Sequence, residues 1–332
     1  MHGAVLTGVA VCIWGGVKCL VLTGSVSTVH ERIVGGSDAN IDDYPWQVNV
    51  RYNSESACGG SIISSQWILT ACHCFPEEHA LADYEAIFGT TSLIQTDPNT
   101  QTVLFEAVYK NPTYSADAHV GDIAVVKLKT PLTLTTGVGT ISLLAASVQI
   151  PPGLICSVTG WGNINQGVAL PIPRTLQVGR VQVISSRTCN CLHKIDASSD
   201  YHITIQSDMI CAGYKEGTVD ACQGDSGGPL ACYINNKWYQ VGVVSWGDQC
   251  GAKNRPGVYT LPSAHIDWIK SLVTDCQVDS ITIDQAPIPD NENGCQAADG
   301  AIYPYPNRGT AILVTFITLP LYWLSAYLLT NL

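Results

Sequence analysis

From Tyr44 to about Tyr259 the chain is a succession of short apolar, β-prone runs with Gly, Pro, Asn and Asp between them. Gln47–Val50, Trp67–Thr70, Ile123–Leu128, Gln177–Val183 and Gln240–Val244 are examples. Short strands at even spacing with turn signals between them predict an antiparallel barrel or sandwich. No strand–helix alternation supports a parallel sheet, and no long internal repeat is visible. One helix is expected to close the domain. Pro262 and Ser263 open it, and Ile266, Ile269, Leu272 and Val273 recur on one face, most simply as core packing.

Composition narrows the function. At 332 residues, 46% hydrophobic and 13% charged, the chain can build a substantial core. A net charge of −11 argues against a nucleic-acid binder, which normally carries a basic face. Fourteen cysteines without metal-type spacing read as disulfides formed in an oxidising compartment.

The chemistry concentrates in Asp220-Ala-Cys-Gln-Gly-Asp-Ser-Gly-Gly-Pro229. Serine is a weak nucleophile at neutral pH and needs a base for its proton and donors for the oxyanion it creates. Ser226 sits among Gly224, Gly227 and Gly228, which let the backbone turn sharply and bring N–H groups near a substrate. Alone, this stretch also reads as a Gly-rich surface turn. A candidate base is His73, after the apolar run Trp67–Thr70 and next to Cys74. A candidate orienting acid is Asp122, at the head of Ile123-Ala-Val-Val126, where an unpaired carboxylate would be costly. A turn-capping role is the plain alternative for Asp122.

With these residues in place the chain resembles the trypsin-like serine proteases of the chymotrypsin family. The matching pieces are Ile33-Val-Gly-Gly36, Pro45-Trp-Gln-Val48, Cys58-Gly-Gly-Ser61, Thr70-Ala-Cys-His-Cys74, Asp122-Ile-Ala124, Gly160-Trp-Gly162, the Ser226 stretch, Ser245-Trp-Gly247 and Arg255-Pro-Gly-Val-Tyr259, in family order. The resemblance implies an all-β fold of two six-stranded antiparallel barrels with a C-terminal helix, spanning residues 33–275. It implies His73, Asp122 and Ser226 as base, orienter and nucleophile. The N–H groups of Gly224 and Ser226 would form the oxyanion hole, worth about 3–4 kcal/mol per donor. Asp220 matches the floor of the specificity pocket and Gly247 and Gly257 its walls, with Ala221 and Ser245 completing the substrate-binding set. A carboxylate in such a slot selects Arg or Lys before the cut bond. Cleavage at Arg32–Ile33 would free an amine to pair with buried Asp225, so the intact chain is expected to be a zymogen.

By the same resemblance the cysteines pair as Cys58–Cys74, Cys156–Cys232, Cys189–Cys211 and Cys222–Cys250. Cys72, Cys191, Cys276 and Cys295 remain. Cys72–Cys191 and Cys276–Cys295 would use all four, and Cys191 in place of Cys189 is an alternative. Cys72-His73-Cys74 as a metal site is a remote alternative, because zinc ligands are usually spaced further apart. The loop Gly89–Phe105 lacks the paired glutamates of calcium-binding relatives. No metal and no cofactor are expected.

Both ends of the sequence are apolar. Residues 1–24 read as a signal peptide, with a signal anchor as the competing reading, and residues 25–32 as an activation propeptide. Residues 276–310 read as a polar linker and 311–332 as a charge-free hydrophobic tail, either a GPI-attachment signal or a transmembrane helix. Ala298-Asp-Gly-Ala301 supplies small residues for GPI attachment, with Asn293-Gly294 as an alternative. Membrane-anchored members of the family are similar in carrying an apolar tail. The expected product is a secretory-pathway endopeptidase, extracellular and anchored at the cell surface. Its expected partners are proteins or peptides with exposed Arg or Lys, serine-protease inhibitors and, through the tail, a membrane. The competing class is a catalytically inactive relative acting as a binding module.

Overall fold

A computed structural model describes residues 33–95, 97–197 and 204–285. The strands are β1 (Ser37–Asp38), β2 (Gln47–Tyr52), β3 (Glu55–Ser64), β4 (Trp67–Thr70), β5 (Tyr84–Phe88), β6 (Gln101–Lys110), β7 (Ala124–Leu128), β8 (Ser142–Leu144), β9 (Ile155–Gly160), β10 (Gln177–Ile184), β11 (Met209–Ala212), β12 (Pro229–Ile234), β13 (Lys237–Trp246), β14 (Gly257–Thr260) and β15 (Val278–Asp279). Two α-helices join them, α1 (Ser186–Lys194) and α2 (Ile266–Leu272).

The strands form the two expected barrels. The first closes in the order β2-β3-β4-β7-β6-β5. In the second, β12-β9-β10-β11-β14-β13 is sealed by the pairing of β12 with β13. Closure removes the unpaired sheet edges that such short strands would otherwise present. Alternation then fills each interior: β5 reads buried, intermediate, buried, intermediate, buried. Val48, Val50, Ile62, Leu69, Val125 and Phe105 pack the first barrel, and Val158, Val181, Leu230, Val241 and Tyr259 the second. Each such side chain contributes about 1.5–3 kcal/mol when fully buried.

The barrels are also joined by buried polar side chains. Ser61 Oγ on β3 lies 2.6 Å from Gln240 Oε1 on β13, and Thr159 Oγ1 on β9 lies 2.6 Å from Gln47 Oε1 on β2. All four residues are buried, and a buried polar group left unpaired would be destabilising, so these bonds favour one docking of barrel on barrel.

Helix α2 follows a 3-10 turn, Pro262–His265, and crosses back to the first barrel, where Ile266, Ile269 and Val273 join its core. Helix α1 was not expected. Ser185 caps it by accepting the Thr188 N–H, and its buried face is Thr188, Cys189, Leu192 and His193. With Leu192 the one large aliphatic on that face, no apolar stripe announces the helix in the sequence.

The start of the segment expected as a polar linker is instead packed. Strand β15 lies parallel to β8, with the Leu143 N–H donating to Gln277 O at 2.8 Å and the Ala145 N–H to Asp279 O at 2.9 Å. Lys237 Nζ and the Tyr239 hydroxyl both meet Asp279 Oδ2, at 2.7 and 2.9 Å. Ile281 and Ile283 then pack against the second core, so the folded unit runs past residue 275.

Candidate active site

His73 occupies a 3-10 turn, Cys72–Cys74, just beyond β4. That turn has no side-chain cap of its own, and Asp122, from the loop leading into β7, supplies the missing acceptor. Asp122 Oδ1 takes the His73 backbone N–H at 3.0 Å, while Oδ2 sits 2.7 Å from the ring Nδ1. One carboxylate thus fixes both the turn and the ring. With Nδ1 as the donor, the tautomer assigned by this network leaves Nε2 as the basic nitrogen. Asp122 is itself held by the second barrel: the Ser245 hydroxyl donates to Oδ2 at 2.5 Å and the Thr260 hydroxyl to the Asp122 carbonyl at 2.9 Å. Burial alone would raise this carboxyl. The His73 ring and N–H and the Ser245 hydroxyl outweigh that and hold it below its usual range.

Ser226 is carried on a tight turn between Cys222 and Gly228. Gly224 and Gly227 adopt φ +96° and +79°, where a side chain would be strained. Space closes the question at Gly227, because an added Cβ would lie 2.2 Å from Thr70 Oγ1 and 2.7 Å from Gly59 O. The turn is pressed against the first barrel, and the Gly59 N–H donates to Ser226 O at 2.7 Å. Thr70 ends β4, three residues before His73, so the same contact brings the serine loop to the histidine loop. Cys74 Sγ lies 3.8 Å from Ser226 O. Among the described residues, Ser226 Oγ and the N–H groups of Gly224 and Ser226 have no hydrogen-bond partner. The hydroxyl–imidazole bond is therefore not formed here; in free enzymes such contacts often tighten only when substrate binds.

Asp225 is fully buried. Oδ1 accepts the Gly162 N–H at 2.9 Å and Oδ2 the Cys222 N–H at 3.0 Å. A Cβ on Gly160 would sit 2.0 Å from this carboxylate and one on Gly162 2.6 Å, which explains both glycines around Trp161. Among the described residues no cation pairs with Asp225. Burial pushes the carboxyl up to about 6, against the pull of its two N–H donors. Ile33 is also fully buried, and its backbone lies at φ +48°, a left-handed conformation that a β-branched residue rarely takes.

Next to Ser226 opens a cavity of about 270 Å³ whose lining includes Asp220, Ala221, Ser245, Trp246, Gly247, Gly257 and Tyr259. Asp220 Oδ2 accepts the Gly251 N–H at 3.0 Å, whereas Oδ1 is buried with no partner. A Cβ on Gly257 would stand 2.8 Å from Oδ1, and one on Gly247 would meet nothing within 4 Å. Gly257 therefore leaves room at the carboxylate, and Gly247 lies where the slot is open. Burial pushes the Asp220 carboxyl up to about 7, its N–H donors pulling the other way.

The disulfides Cys58–Cys74, Cys156–Cys232, Cys189–Cys211 and Cys222–Cys250 are formed. The first braces the histidine loop and the last ties two walls of the cavity. Two of the further pairings weighed from sequence are corrected. Cys72 is a buried free thiol that donates to Ile123 O at 2.9 Å, inside the first barrel's core and away from α1, so Cys72–Cys191 is not made. Cys191 is disulfide-bonded nonetheless. Cys276 is also free, its thiol donating to Val273 O, so Cys276–Cys295 is not made. Sulfurs of Cys58 and Cys74 and a His73 nitrogen lie within 4.8 Å of one another, but the sulfurs are bonded to each other and have no thiolate to offer a metal.

The structure thus brings His73 to Asp122, places Ser226 beside the Asp220 cavity and sets Asp225 behind it. Ser245 has two positions at once, lining the cavity and holding Asp122. Sequence reasoning missed Thr260 on the Asp122 carbonyl and Trp246 and Tyr259 in the cavity; neighbouring motif residues were the available signal. Arg32, residues 1–31 and the tail from 286 onward lie outside the described residues.

A family model described as Trypsin matches residues 33–269. Testisin of Homo sapiens is 41% identical over 252 residues, which cover 74% of this chain and 79% of Testisin.

The two raised carboxyls set a pH dependence. Asp220 carries its proton up to about 7 in the folded chain and only up to the ordinary carboxylate value when unfolded. Between those values the folded state binds more protons, so this residue's contribution to stability falls as pH rises. Buried His193, pushed down to about 4 by burial, works in the opposite direction, so the effect is best read as a difference. Asp220→Asn is expected to raise Tm relative to the parent at about pH 8 and by clearly less at about pH 5. An equal change in Tm at both pH values would contradict the assignment.

Proposed function

The chain belongs to the trypsin family and is a serine endopeptidase, and we propose that it is a zymogen which, once cut at Arg32–Ile33, hydrolyses peptide bonds after Arg or Lys. In this reading Ser226 Oγ attacks the carbonyl carbon while His73 Nε2 takes its proton. Asp122 holds the ring and steadies the imidazolium. The N–H groups of Gly224 and Ser226, free of intramolecular acceptors among the described residues, receive the oxyanion. His73 then passes its proton to the leaving amine, and water, activated by the same nitrogen, releases the acyl group from Ser226.

The observation that carries the Arg/Lys reading is the unpartnered Asp220 Oδ1 at the wall of the cavity beside Ser226. A buried acceptor without a donor is unfavourable, and a guanidinium or ammonium would satisfy it. Ala221 lines the same cavity. Guanidinium can meet Asp220 bidentately, whereas the compact ammonium of Lys profits from a hydroxyl, which Ala221 lacks and many digestive trypsins supply with Ser. On matched Arg and Lys peptide substrates, Arg is expected to be preferred in kcat/KM, and Ala221→Ser to narrow the gap. Equal kcat/KM for the two in the parent enzyme would count against this.

Two observations support zymogen activation. Asp225 is a buried carboxylate with N–H donors and no paired cation among the described residues, and a freed Ile33 amine would supply one. Ile33, next to the Arg32–Ile33 bond, sits in a left-handed backbone that costs a non-glycine residue about 1–2 kcal/mol. Cleavage would release that strain. Arg32→Gln is expected to give a precursor at least about 100-fold less active than the cleaved parent, since the oxyanion hole loses its support. Full activity with that bond shown intact would refute the activation scheme.

As a protease of this family the protein has protein substrates and serine-protease inhibitors as its general partner kinds. We further propose residues 1–24 as a signal peptide, 25–32 as the activation propeptide, and 311–332 as the tail of a GPI signal, which place the enzyme on the cell surface. Ala298-Asp-Gly-Ala301 supplies the small residues such a signal needs, and residues 302–310 a short spacer before the apolar run. Phosphatidylinositol-specific phospholipase C on intact cells is expected to release the enzyme. Retention on cells that release a known GPI protein would favour the transmembrane reading instead.

A further inference from the structure

A second Asp–His couple, its aspartate buried and its histidine half-buried, stands behind the first. Asp208, immediately before β11, is buried, and its Oδ2 accepts the N–H of Gly121 at 2.7 Å. Gly121 is the residue in front of Asp122. It sits at φ +64°, and an added Cβ would lie 2.6 Å from Thr113 Oγ1, so this stretch of backbone has little room to move. The same Asp208 oxygen is 3.4 Å from His265 Nε2, at the end of the 3-10 turn before α2.

The ring tautomer of His265 follows from its other neighbour. Asn111 Oδ1 accepts both the N–H and the hydroxyl of Thr113, each at 3.0 Å, which orients the Asn111 amide. Its NH₂ therefore faces His265 Nδ1, at 2.8 Å. Nδ1 must be the acceptor, so the ring proton lies on Nε2, which makes no hydrogen bond and stands 3.4 Å from the Asp208 carboxylate. Burial alone would raise the Asp208 carboxyl, but the His265 ring and the Gly121 N–H outweigh it and keep it below its usual range. Asn111 also returns to the same backbone from the far side, its N–H donating to Ile123 O at 3.1 Å.

We propose that Asp208, oriented by His265 and Asn111, is a positioning residue for the Asp122–His73 pair, fixing the chain in front of Asp122 through the Gly121 N–H. The proposal rests on the roles given above to His73, Asp122 and Ser226. The Asp122 carboxylate must satisfy three donors at once, the His73 N–H, the His73 ring and the Ser245 hydroxyl. A small rotation of its backbone lengthens all three. Asp208 and Thr260 hold the peptide groups on either side of the Gly121–Asp122 peptide, one through Gly121 N and the other through Asp122 O, and both come from the second barrel. The second barrel thereby sets the placement of a residue whose loop leads into a strand of the first.

The test uses the full chain cleaved at Arg32–Ile33 and an Arg-containing peptide substrate. Asp208→Ala is expected to lower kcat by about 10–100-fold, the scale of a sub-ångström to ångström misplacement, with KM unchanged within about twofold. The acid limb of the kcat/KM profile moves to lower pH, because an imidazolium that loses part of its carboxylate contact gives up its proton more readily. Asp208→Asn keeps an oxygen for the Gly121 N–H and is expected to restore most of kcat. Should Asp208→Ala fail to fold, His265→Ala takes its place, with an expected loss in kcat of about threefold or more at unchanged KM. Parental kcat and acid limb in the variant measured, whatever its Tm, overturn the proposal. Ser226→Ala separates the two readings: if it remains active the triad assignment fails, and if it is inert while the Asp208 or His265 variants match the parent, only the positioning role fails.

Discussion

The site depends on the Asp122 carboxylate being held from both barrels. It leads into β7, a strand of the first barrel, yet Ser245, Thr260 and, through Gly121, Asp208 reach it from the second. A carboxylate this buried stays ionised because donors replace the water it has lost. The first barrel supplies the His73 ring and N–H, and the second supplies hydroxyls. Neither barrel alone completes the set, which makes barrel docking a condition for the geometry at His73. The buried Ser61–Gln240 and Thr159–Gln47 bonds act on the same docking.

Two other buried aspartates behave differently. Asp122 is surrounded by enough donors to fall below its usual range, while Asp220 and Asp225 rise to about 7 and 6 with backbone N–H donors alone. The contrast separates a carboxylate whose partners are built into the fold from two whose charge the fold leaves only partly balanced. In the proposed mechanism the balance comes from outside the folded frame: a substrate side chain at Asp220 and a freed terminus at Asp225. Glycines make both arrangements possible, Gly160 and Gly162 around Asp225 and Gly257 beside Asp220, since a single methyl at any of them would collide with the carboxylate.

Much of this was legible in the sequence, and what was not shares a cause. The strands were visible because alternation and turn residues are local properties, and the runs Trp67–Thr70 and Gln177–Val183 fall within β4 and β10. His73, Asp122, Ser226 and Asp220 were legible through motifs in order. Helix α1 was hidden because its buried face is mostly polar or sulfur-bearing. Strand β15 was hidden because Val278, Ile281 and Ile283 are spaced among polar residues, and their burial depends on a groove made by distant strands. Thr260, Asp208 and His265 left no local mark, since their partners lie more than fifty positions away in sequence.

That long-range character bears on how the site tolerates change. Gly121, Asp122 and Ile123 form three consecutive links whose hydrogen-bond partners are Asp208, Thr260, Asn111 and Cys72. Cys72 enters here as a structural donor to Ile123 O rather than as half of a disulfide, which gives a physical reason for a thiol beside the histidine. Its burial raises the thiol to about 11, so at neutral pH it stays protonated and able to donate. Replacement by the smaller alanine would remove one of several ties on this backbone, whereas loss of Asp208 would leave the Gly121 N–H buried without its partner. Deleting a weak donor from a carbonyl that keeps another donor is milder than orphaning an N–H. The hierarchy among these ties therefore follows from which group is left unsatisfied, and it places Asp208 above Cys72 despite the latter's position next to His73.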